Sequence, residues 1–560
     1  PTNNFCTFNP IDQRQAAPIT YSEGNLKFTL VSGSQGRGTI PSTVDSKFYL
    51  EFCTPSDVSN TNVMHLGLAS TSININASGS FAGGTGGACV GTYFGGNDYF
   101  VFAVENGVEP AGSINVPDTK IAAGGIVGFA YDASTGKVWM SINNSWLKAD
   151  GSFDGANPLS SSNYLYQVSA GSQLTPITMP VGNFVGVLNC GQDSSFAGNK
   201  TPQGNQDSNG IGDFYYAPPA GFLSLSTKSL DTPTVIPSEN FNTVLYTGNQ
   251  AANVAVTGVG FQPDLVWGKN RSSASNHWLF DSVRGINKML QADQTNAEET
   301  QSGVRAFNSF GFTLGTWIGS TKTNDSYVAW NWKAGGSASS NTNGSITSSV
   351  SANPSAGFSV VSHTSTGATG TVGHGLGVAP KLIIEKTRNL VEGWLVQTSV
   401  IDGTHDYLWL NTTAAKSNMP WGSLPTSTVF SSYGHTVGTT KIAYCFADVD
   451  GYSKVGSYTG NGSTDGPFVH CGFKVAMIIQ KRTDGADSWH ILDNKRSPSN
   501  VVDDRLYPNS SSAESTSGDR VDFTSNGFKV RTTNGDFNAS GGTYIFIAFA
   551  ESPFKHTNAR

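Results

Sequence analysis

The sequence is poor in charge and contains no long apolar run. Charged residues make up 13% of the 560 residues, against about 25% in typical globular domains. The most apolar stretch, Tyr544–Ala550, is far shorter than the roughly 20 residues that a membrane-spanning helix needs. The net charge is −7 and no basic stripe is present, which argues against a nucleic-acid partner. We therefore expect neither nucleic-acid binding nor membrane insertion.

The six cysteines form neither a disulfide framework nor a zinc pattern. None lies in a CxxC pair, none has a histidine at zinc-ligand spacing, and several fall within strand-like runs such as Tyr444–Phe446. Six cysteines are too few to cross-link a chain of this length. We expect small, buried, free thiols.

Signatures of catalysis and of metal binding are also missing. Glycosidases need two carboxylates, and the E-x-D-x-x-E pattern of concanavalin-like glucanases is absent; Glu51 stands alone and is expected to be solvated. Asp448 and Asp450 resemble the start of a calcium loop, but Thr459 occupies the position where an EF-hand needs glutamate. We expect no catalytic residues, no metal and no cofactor, and so no enzyme.

Turn residues and aromatic residues are abundant. The chain holds 65 glycines and 11% aromatic residues. Dense turn residues between short β-branched and aromatic runs predict an all-β fold, and the aromatic content argues against disorder. We predict multidomain β-sandwiches with little helix. One short helical turn is expected at Thr295–Thr300, where Thr295 and Glu298 match a capping box.

One module recurs three times from about residue 238 onward. Tyr246–Arg284 and Tyr458–Arg496 share, in order, Tyr-Thr-Gly-Asn, Gly-Phe, an apolar run, Lys, Trp, Asp and Arg. In a weaker middle copy His363 takes the place of the tyrosine. Such long periods indicate repeated domains rather than solenoid units. The predicted domains are 1–230, 238–336, 356–449 and 452–560.

The repeated residues are interpreted as structural. They are Trp278, Trp394 and Trp489, with the pairs Asp281–Arg284 and Asp493–Arg496. A recurrent Asp–Arg pair is compatible with a sugar-binding dyad, but we favour an ion pair that ties a turn, because a duplicated feature follows the fold. The middle copy has Gln397 and Thr398 near that place.

Two segments have the composition of linkers. Ser226–Asn240 is rich in threonine and proline, and Lys333–Gly357 is rich in glycine, serine and asparagine. We predict flexible coil for such segments. No linker separates the last two modules, which are therefore expected to pack against each other.

The first 225 residues form a different unit. Gly125–Asp132 and Lys137–Ile142 read as two strands joined by a glycine-containing turn. The region resembles a SPRY domain. The resemblance rests on Gly128, Asp132, Gly136, Trp139, Asn143 and Trp146, on the Asn189–Gln192 step and on Pro219–Phe222. It implies a concanavalin-A-like sandwich used for recognition. Glycine-rich insertions at Ala82–Gly91 and Asn199–Gly212 leave open which loops form a binding face.

Nearly the whole chain is similar to a family of virion proteins of tailed, especially marine, bacteriophages. The segments that carry this resemblance are Asn4–Pro10, Phe261–Val266 with Lys269 and Arg271, Val328–Lys333, Gly373–Gly377 and Gly451–Asn461. The resemblance implies a place on the virion surface as a tail fibre, spike or other exposed component. As in many phage fibres, a homotrimer is expected, in contact with other virion proteins.

Two functions from different classes remain open. The first is receptor binding, in which the protein recognises host surface polysaccharide without catalysis. Trp146, Trp317 and Trp421 follow turn signals and do not recur by position, so they are the candidates for stacking on sugar rings. The second is a structural or capsid-decorating role. A glycan-degrading enzyme is a distant third. The chain begins at Pro1, and the sequence does not show whether an anchoring region precedes it.

Overall fold

β-Strands make up almost all of the regular structure. The computed structural model describes residues 4–55, 63–73, 75, 87–95, 98–108, 112–116, 123–154, 163–181 and 184–556. Within those ranges the α-helices are Ile318–Thr321 and Gly535–Asn538, and 3-10 helices lie at Pro237–Glu239 and Phe554–His556. None of the described helices could span a membrane. The predicted all-β fold of several β-sandwiches is confirmed.

The chain divides into two compact units, Pro1–Thr232 and Pro233–Arg560. The first is a sandwich of two sheets. One sheet has the order Phe8–Gln13, Gly36–Gly38, Leu174–Val181, Val63–Ser70, Ala88–Gly95, Asp98–Glu105, Ile114–Asn115. The other has the order Phe153–Asp154, Ser145–Leu147, Lys137–Ile142, Gly125–Asp132, Lys47–Thr54, Phe184–Asn189, Lys27–Leu30, Thr20–Ser22. Tyr166–Gln167 pairs with Lys137–Ile142, and Leu223–Ser224 runs parallel to Lys47–Thr54.

The hairpin of this unit forms at its predicted boundaries. Asp132 pairs with Lys137, and Gly136 closes the turn at φ +72°. A side chain at Gly136 would collide with the backbone of Val168, so the turn requires glycine.

Part of the predicted insertion at 82–91 lies outside the described residues. All six cysteines are free and buried, as predicted.

The three repeats of the second unit share one antiparallel strand order in their larger sheets. In the first repeat the order is Phe241–Thr247, Ser326–Trp332, Leu265–Asn270, Trp278–Asp281. In the second it is Phe358–Thr364, Thr440–Phe446, Leu382–Thr387, Leu395–Thr398, continued by Asp406–Trp409 and Ser417–Asn418. In the third it is Ser453–Thr459, Thr543–Pro553, Phe473–Arg482, His490–Asp493. The common order supports duplication, and the exact domain boundaries stay a prediction.

A smaller sheet accompanies each larger one. The small sheets are Val254–Val256, Gly311–Leu314, Val304–Asn308 in the first repeat, Gly370–Gly373 with Val429–Ser432 in the second, and Phe468–His470, Gly527–Val530, Val521–Thr524 in the third. A short pair, Lys288–Met289 with Glu299–Thr300, belongs to the first repeat. Apolar side chains of the two sheets form a separate cluster within each repeat.

Two local predictions were wrong. The segment 333–357 is not simply coil, because Ser339–Asn341 and Ser348–Asn353 extend the second repeat's sheet, and Val350 is buried there. No helical turn forms at 295–300. Instead the Glu298 carboxylate accepts hydrogen bonds from Arg388, in the neighbouring repeat, at 2.9 and 3.0 Å. This bidentate ion pair takes the place of the predicted capping box between Thr295 and Glu298.

In each repeat one face of the larger sheet packs against the small sheet. The opposite faces of the three larger sheets meet in one shared apolar core. Its centre is Trp332, Phe446 and Phe549, one from each repeat, which pack edge to face at 5.6–6.3 Å between ring centroids. A single cluster of buried residues joins the repeats around these rings. A cavity in the cluster, lined by residues of all three repeats, measures about 10 Å³, room for about one water. This core is therefore a packing contact rather than a ligand pocket.

Hydrogen bonds link the repeats in cyclic order. The ring N–H groups of Trp394, Trp489 and His277 donate to the carbonyl oxygens of Gln291, Trp409 and Tyr507, at 2.8, 3.0 and 2.9 Å respectively. Each donor lies in one repeat and its acceptor in another. The predicted packing of the last two modules therefore extends to a closed arrangement in which the third repeat also meets the first.

Strand register corrects the predicted equivalence of the repeated tryptophans. Gly268 pairs with Trp278, and Gln480 pairs with His490, so Trp489 corresponds to His277 and not to Trp278. A shift of one residue along a strand moves a side chain to the opposite face. Trp278 therefore packs within the first repeat, whereas Trp394 and Trp489 lie in the shared core.

Trp489→Ala should lower the free energy of unfolding by about 3–5 kcal/mol, the usual cost of deleting a core aromatic side chain. Because this indole lies in the shared core, the three repeats should still unfold in one transition. Trp278→Ala should cost a similar amount. Urea unfolding with hydrogen exchange resolved by repeat measures both effects.

Trp421 is partly exposed, so Trp421→Ala is the matched control. It should lower the free energy of unfolding by less than about 1 kcal/mol. Independent unfolding of the third repeat in Trp489→Ala, with the first two intact, would contradict the shared-core interpretation.

Candidate functional site

The three predicted ligand-contact tryptophans occupy unrelated positions. Trp146 is only 8% exposed and packs against Tyr49 in the first unit, so it offers no open face for stacking, contrary to the expectation. Trp317 is half-buried against the first repeat's own core. Trp421 lies in the second repeat, partly exposed, with its ring 5.4 Å from that of Tyr433. The structure therefore does not assemble these three residues into one site.

The Asp–Arg pairs are buried between repeats. The side chains of Asp281, Arg284, Asp493 and Arg496 are all 0% exposed. Each carboxylate also accepts a hydrogen bond from a neighbouring repeat: Tyr444 Oη donates to Asp281 at 2.8 Å, and Trp330 Nε1 donates to Asp493 at 3.0 Å. These pairs hold turns and interfaces, and no sugar could reach them without unfolding.

Glu51 is buried, contrary to the prediction that it is solvated. It accepts hydrogen bonds from Tyr49 Oη, Asn189 Nδ2 and the backbone N–H groups of Tyr215 and Tyr216, at 2.8–3.1 Å. Burial raises the pKa of Glu51 to about 7, against the lowering effect of these four donors. The carboxyl group thus ties a central strand of the first unit to the segment around Tyr215.

The second repeat differs from its neighbours at one paired position. The first and third repeats place stacked tyrosines there, Tyr246 on Tyr327 at 5.0 Å and Tyr458 on Tyr544 at 4.8 Å. The second repeat pairs His363 with Lys441 instead. His363 lies in a buried strand.

These two residues belong to a buried charged network centred on Glu385. Its carboxylate accepts a hydrogen bond from Ser432 Oγ at 2.5 Å, and it lies 3.1 Å from Lys441 Nζ and 3.4 Å from His363 Nε2. Burial opposes ionisation of Glu385, but Lys441 and His363 outweigh it and lower its pKa to about 2. The carboxylate is therefore charged at neutral pH.

The network fixes the strand end that carries a surface aromatic residue. Lys441 Nζ donates to the carbonyl oxygen of Tyr433 at 2.8 Å, and the Tyr433 side chain is 46% exposed. The His435 ring packs edge-on against Tyr433 at 5.1 Å. His435 Nε2 lies 2.8 Å from a carboxylate oxygen of Glu392. We call Trp421, Tyr433, His435 and Glu392 the aromatic face.

Reciprocal hydrogen bonds hold the loop that carries Trp421. Ser423 N–H donates to Ser431 Oγ at 3.0 Å, and Ser431 Oγ donates to the Ser423 carbonyl at 3.2 Å. Gly422 has φ +73° and lies directly against Ser431, which explains glycine at that position. The aromatic face is thus a set of exposed and partly exposed rings and polar groups whose backbone is held by hydrogen bonds. Tyr433, His435 and Glu392 were not predicted from the sequence as site residues. The sequence signal that marked this region was His363 in place of the tyrosine of the other two repeats.

A family model described as a domain of unknown function, DUF7483, matches residues 236–553, which contain the three repeats and amount to more than half of the chain. The chain belongs to the DUF7483 family. No curated protein matches it in sequence. The aromatic face and the buried charged network both lie within the DUF7483 region.

Two solved structures show a distant likeness. A legume lectin-like domain from Entamoeba histolytica is 11% identical over 32% of this chain and 85% of that domain, with a TM-score of 0.23. A GlcNAcα1-4Gal-releasing endo-β-galactosidase from Clostridium perfringens is 8% identical over 80% of this chain and 96% of that enzyme, with a TM-score of 0.21. TM-scores this low do not indicate a shared function.

Lys441→Met should destabilise the second unit by about 3–5 kcal/mol, because it leaves the buried Glu385 carboxylate without its main partner. The matched control is a triple variant, His363→Tyr, Lys441→Tyr and Glu385→Gln, which installs the residues that the third repeat has at the same positions. It should cost less than the single variant. Chemical denaturation compares the two, and a single variant as stable as the parent protein would contradict the role of the network.

Stability should also fall in acid through Glu385. Its pKa is depressed in the folded protein to about 2, from about 4.3 in the unfolded chain. The stabilisation is therefore fully present above about pH 4.3 and is lost as the pH falls through 2. Urea unfolding from pH 6 to 2 should show a steeper loss for the parent protein than for Glu385→Gln. Equal slopes would show that Glu385 is not held ionised by the fold.

Proposed function

We propose that the chain is a bacteriophage virion surface protein, a tail-fibre or spike component that binds host surface glycans without catalysis. The observation that carries the proposal is the aromatic face, where Trp421 and Tyr433 lie beside the His435–Glu392 pair. Aromatic rings offer an apolar surface to the C–H face of a sugar. Imidazole and carboxylate groups can donate and accept hydrogen bonds with its hydroxyl groups.

The divergence of the second repeat supports a special role for this face. The stacked tyrosines of the other repeats show that the fold does not require a charged pair at that position. In the second repeat Lys441, which is paired with Glu385, instead donates a hydrogen bond to the backbone carbonyl of Tyr433. A backbone segment that is already held in place loses little conformational freedom when a ligand binds, which favours affinity.

The charge pattern of the face favours binding over hydrolysis. Glycosidases use two carboxyl groups that flank the scissile bond. Glu392 is engaged by His435, and Glu385 is buried beneath the face in an ion pair. Glu385 does not supply the general acid, because that role needs a raised pKa and the pKa of Glu385 is lowered.

The virion setting and the partners rest on the sequence resemblance to phage surface proteins. A shallow face binds one glycan weakly, and several tethered copies gain roughly 10²–10⁴ in avidity without new contacts. We therefore propose a homotrimer that contacts other virion proteins and host polysaccharide. The alternative is a structural or capsid-decorating protein, and a glycan-degrading enzyme is a distant third.

Trp421→Ala and Tyr433→Ala should each reduce binding to host cells or to extracted host polysaccharide at least ~10-fold, because each removes stacking surface. Phe310→Ala is the matched control, since Phe310 is 45% exposed in the first repeat, and it should leave binding unchanged. Pull-down with labelled cells and calorimetry with the polysaccharide measure the effect, and thermal melts confirm that the variants fold.

Other results would redirect the proposal. Equal loss of binding in Phe310→Ala would move the contact away from the aromatic face. Release of shortened glycan would overturn the non-catalytic role. Failure of the unchanged protein to bind any host fraction would favour the structural alternative. A labelled copy imaged on the capsid lattice rather than the tail would favour decoration.

A further inference from the structure

A group of buried polar side chains in the third repeat lacks partners. Arg505 is 4% exposed. Its Nη2 donates to Ser515 Oγ at 2.9 Å, but its Nε and Nη1 make no hydrogen bond. The Nε of Arg520 is also buried without a partner, although its Nη1 donates to the carbonyl of Asp519 at 2.9 Å. Unsatisfied guanidinium donors in the interior are costly, since each keeps its desolvation penalty.

The neighbouring groups do not supply the missing acceptor. His490 Nε2 lies 3.4 Å from Asp536 Oδ2, while Asp536 Oδ1 has no hydrogen-bond partner. Among the described residues no ion pair joins Arg505 or Arg520 to a carboxylate. Arg482, nearby, is engaged by Asp484 at 2.9 Å and by Asp487 at 3.3 Å. Among the described residues, the buried donors of the Arg505 and Arg520 guanidinium groups therefore have no protein acceptor in place.

The charged groups of this region shift one another's pKa values. Burial lowers the pKa of His490 well below its ordinary value, and Arg505, Arg520 and Lys481 lower it further. The imidazole is therefore neutral. Burial raises the pKa of Asp536, while Arg520 and Arg505 lower it. Burial also lowers the pKa of Arg520, and Arg505 adds to the effect, while Asp536 and Asp519 oppose it.

The first repeat shows that the fold does not need these charges. Strand register places Met289 where the third repeat has Arg505, and Trp278 where it has His490. Trp278 lies against Gly268, which corresponds to Gln480. The same region is thus filled by apolar side chains in one repeat and by cations in another. The fold therefore does not require arginine at this buried position.

The group is built from four elements and reaches the surface. Gln480 and His490 lie on adjacent strands, Asp536 lies in the helix Gly535–Asn538, and the arginines lie on the segment between them. The Arg520 guanidinium stacks over the ring of Phe537 at 5.8 Å, and Arg520 is partly exposed. An ion could therefore enter past Arg520.

We propose that Arg505 and Arg520 form an anion-binding site that takes one carboxylate, sulfate or phosphate group. Guanidinium groups present their N–H donors in a planar fork that matches the oxygen atoms of such groups. One bound anion would accept hydrogen bonds from the buried Nε and Nη1 donors that have no partner within the chain. The site is separate from the aromatic face and does not depend on its function.

The test is a thermal-shift titration of the full chain with sodium sulfate against sodium chloride at equal ionic strength. Sulfate stabilises proteins generally, so the readout is the difference between variants. The parent protein should gain a saturable extra rise of about 3–6 °C. Arg505→Met, which installs the first repeat's residue, should lose that rise. The control Arg531→Gln changes a surface arginine paired with Asp522 and should keep it.

Further arms separate the sources of the anion and guard against misfolding. Saturable stabilisation by galacturonate but not by galactose indicates a uronate group of a glycan, and stabilisation by sulfate or phosphate alone indicates an inorganic or ester group. Arg520→Gln provides a second variant if Arg505→Met does not fold, and it should weaken the response at least ~10-fold. Equal responses of the parent protein, Arg505→Met and Arg520→Gln to every anion would overturn the proposal.

Discussion

The arrangement of the second unit depends on the packing of three aromatic rings. Trp332, Phe446 and Phe549 come from equivalent strand positions in successive repeats and meet edge to face. Each larger sheet has one face against its own small sheet and one face against these rings, so both faces are buried. Aromatic side chains supply the large area that such a contact needs. The buried Asp–Arg pairs and the cyclic hydrogen bonds then satisfy the polar groups at the edges of this core.

Copies that share a core are free to differ elsewhere. The tyrosine stack of the first and third repeats is replaced by His363 and Lys441 in the second. The apolar filling around Trp278 in the first is replaced by arginines in the third. Both replacements put charge into the interior, which is tolerated only when the charge is paired or bound. In the second repeat Glu385 pairs with His363 and Lys441. In the third repeat we propose that a bound anion pairs with the arginines.

Local signals predicted much of the fold and little of the site. Turn residues placed the hairpin at Gly136, and the Gly-Phe and Lys landmarks revealed the repeats. Register was missed at Trp278, because the pairing with the preceding strand, Leu265–Asn270, sets it and the order of the landmark residues does not. Burial of Glu51 was missed because three of its four hydrogen-bond partners, Asn189, Tyr215 and Tyr216, lie more than a hundred residues away in sequence. Trp421 was found by its turn, but Tyr433 and Glu392 join it only through the tertiary fold.

Cyclic closure also imposes an order on synthesis. Phe241, in the first strand of the second unit, stacks on Phe549, in the last long strand, at 4.8 Å. The inner face of the first repeat therefore cannot be covered until the ribosome has released nearly the whole chain. During translation at about 5–20 residues per second, an apolar sheet face stays exposed for roughly half a minute. Covering of this face is therefore a late step in folding, which follows synthesis of the third repeat.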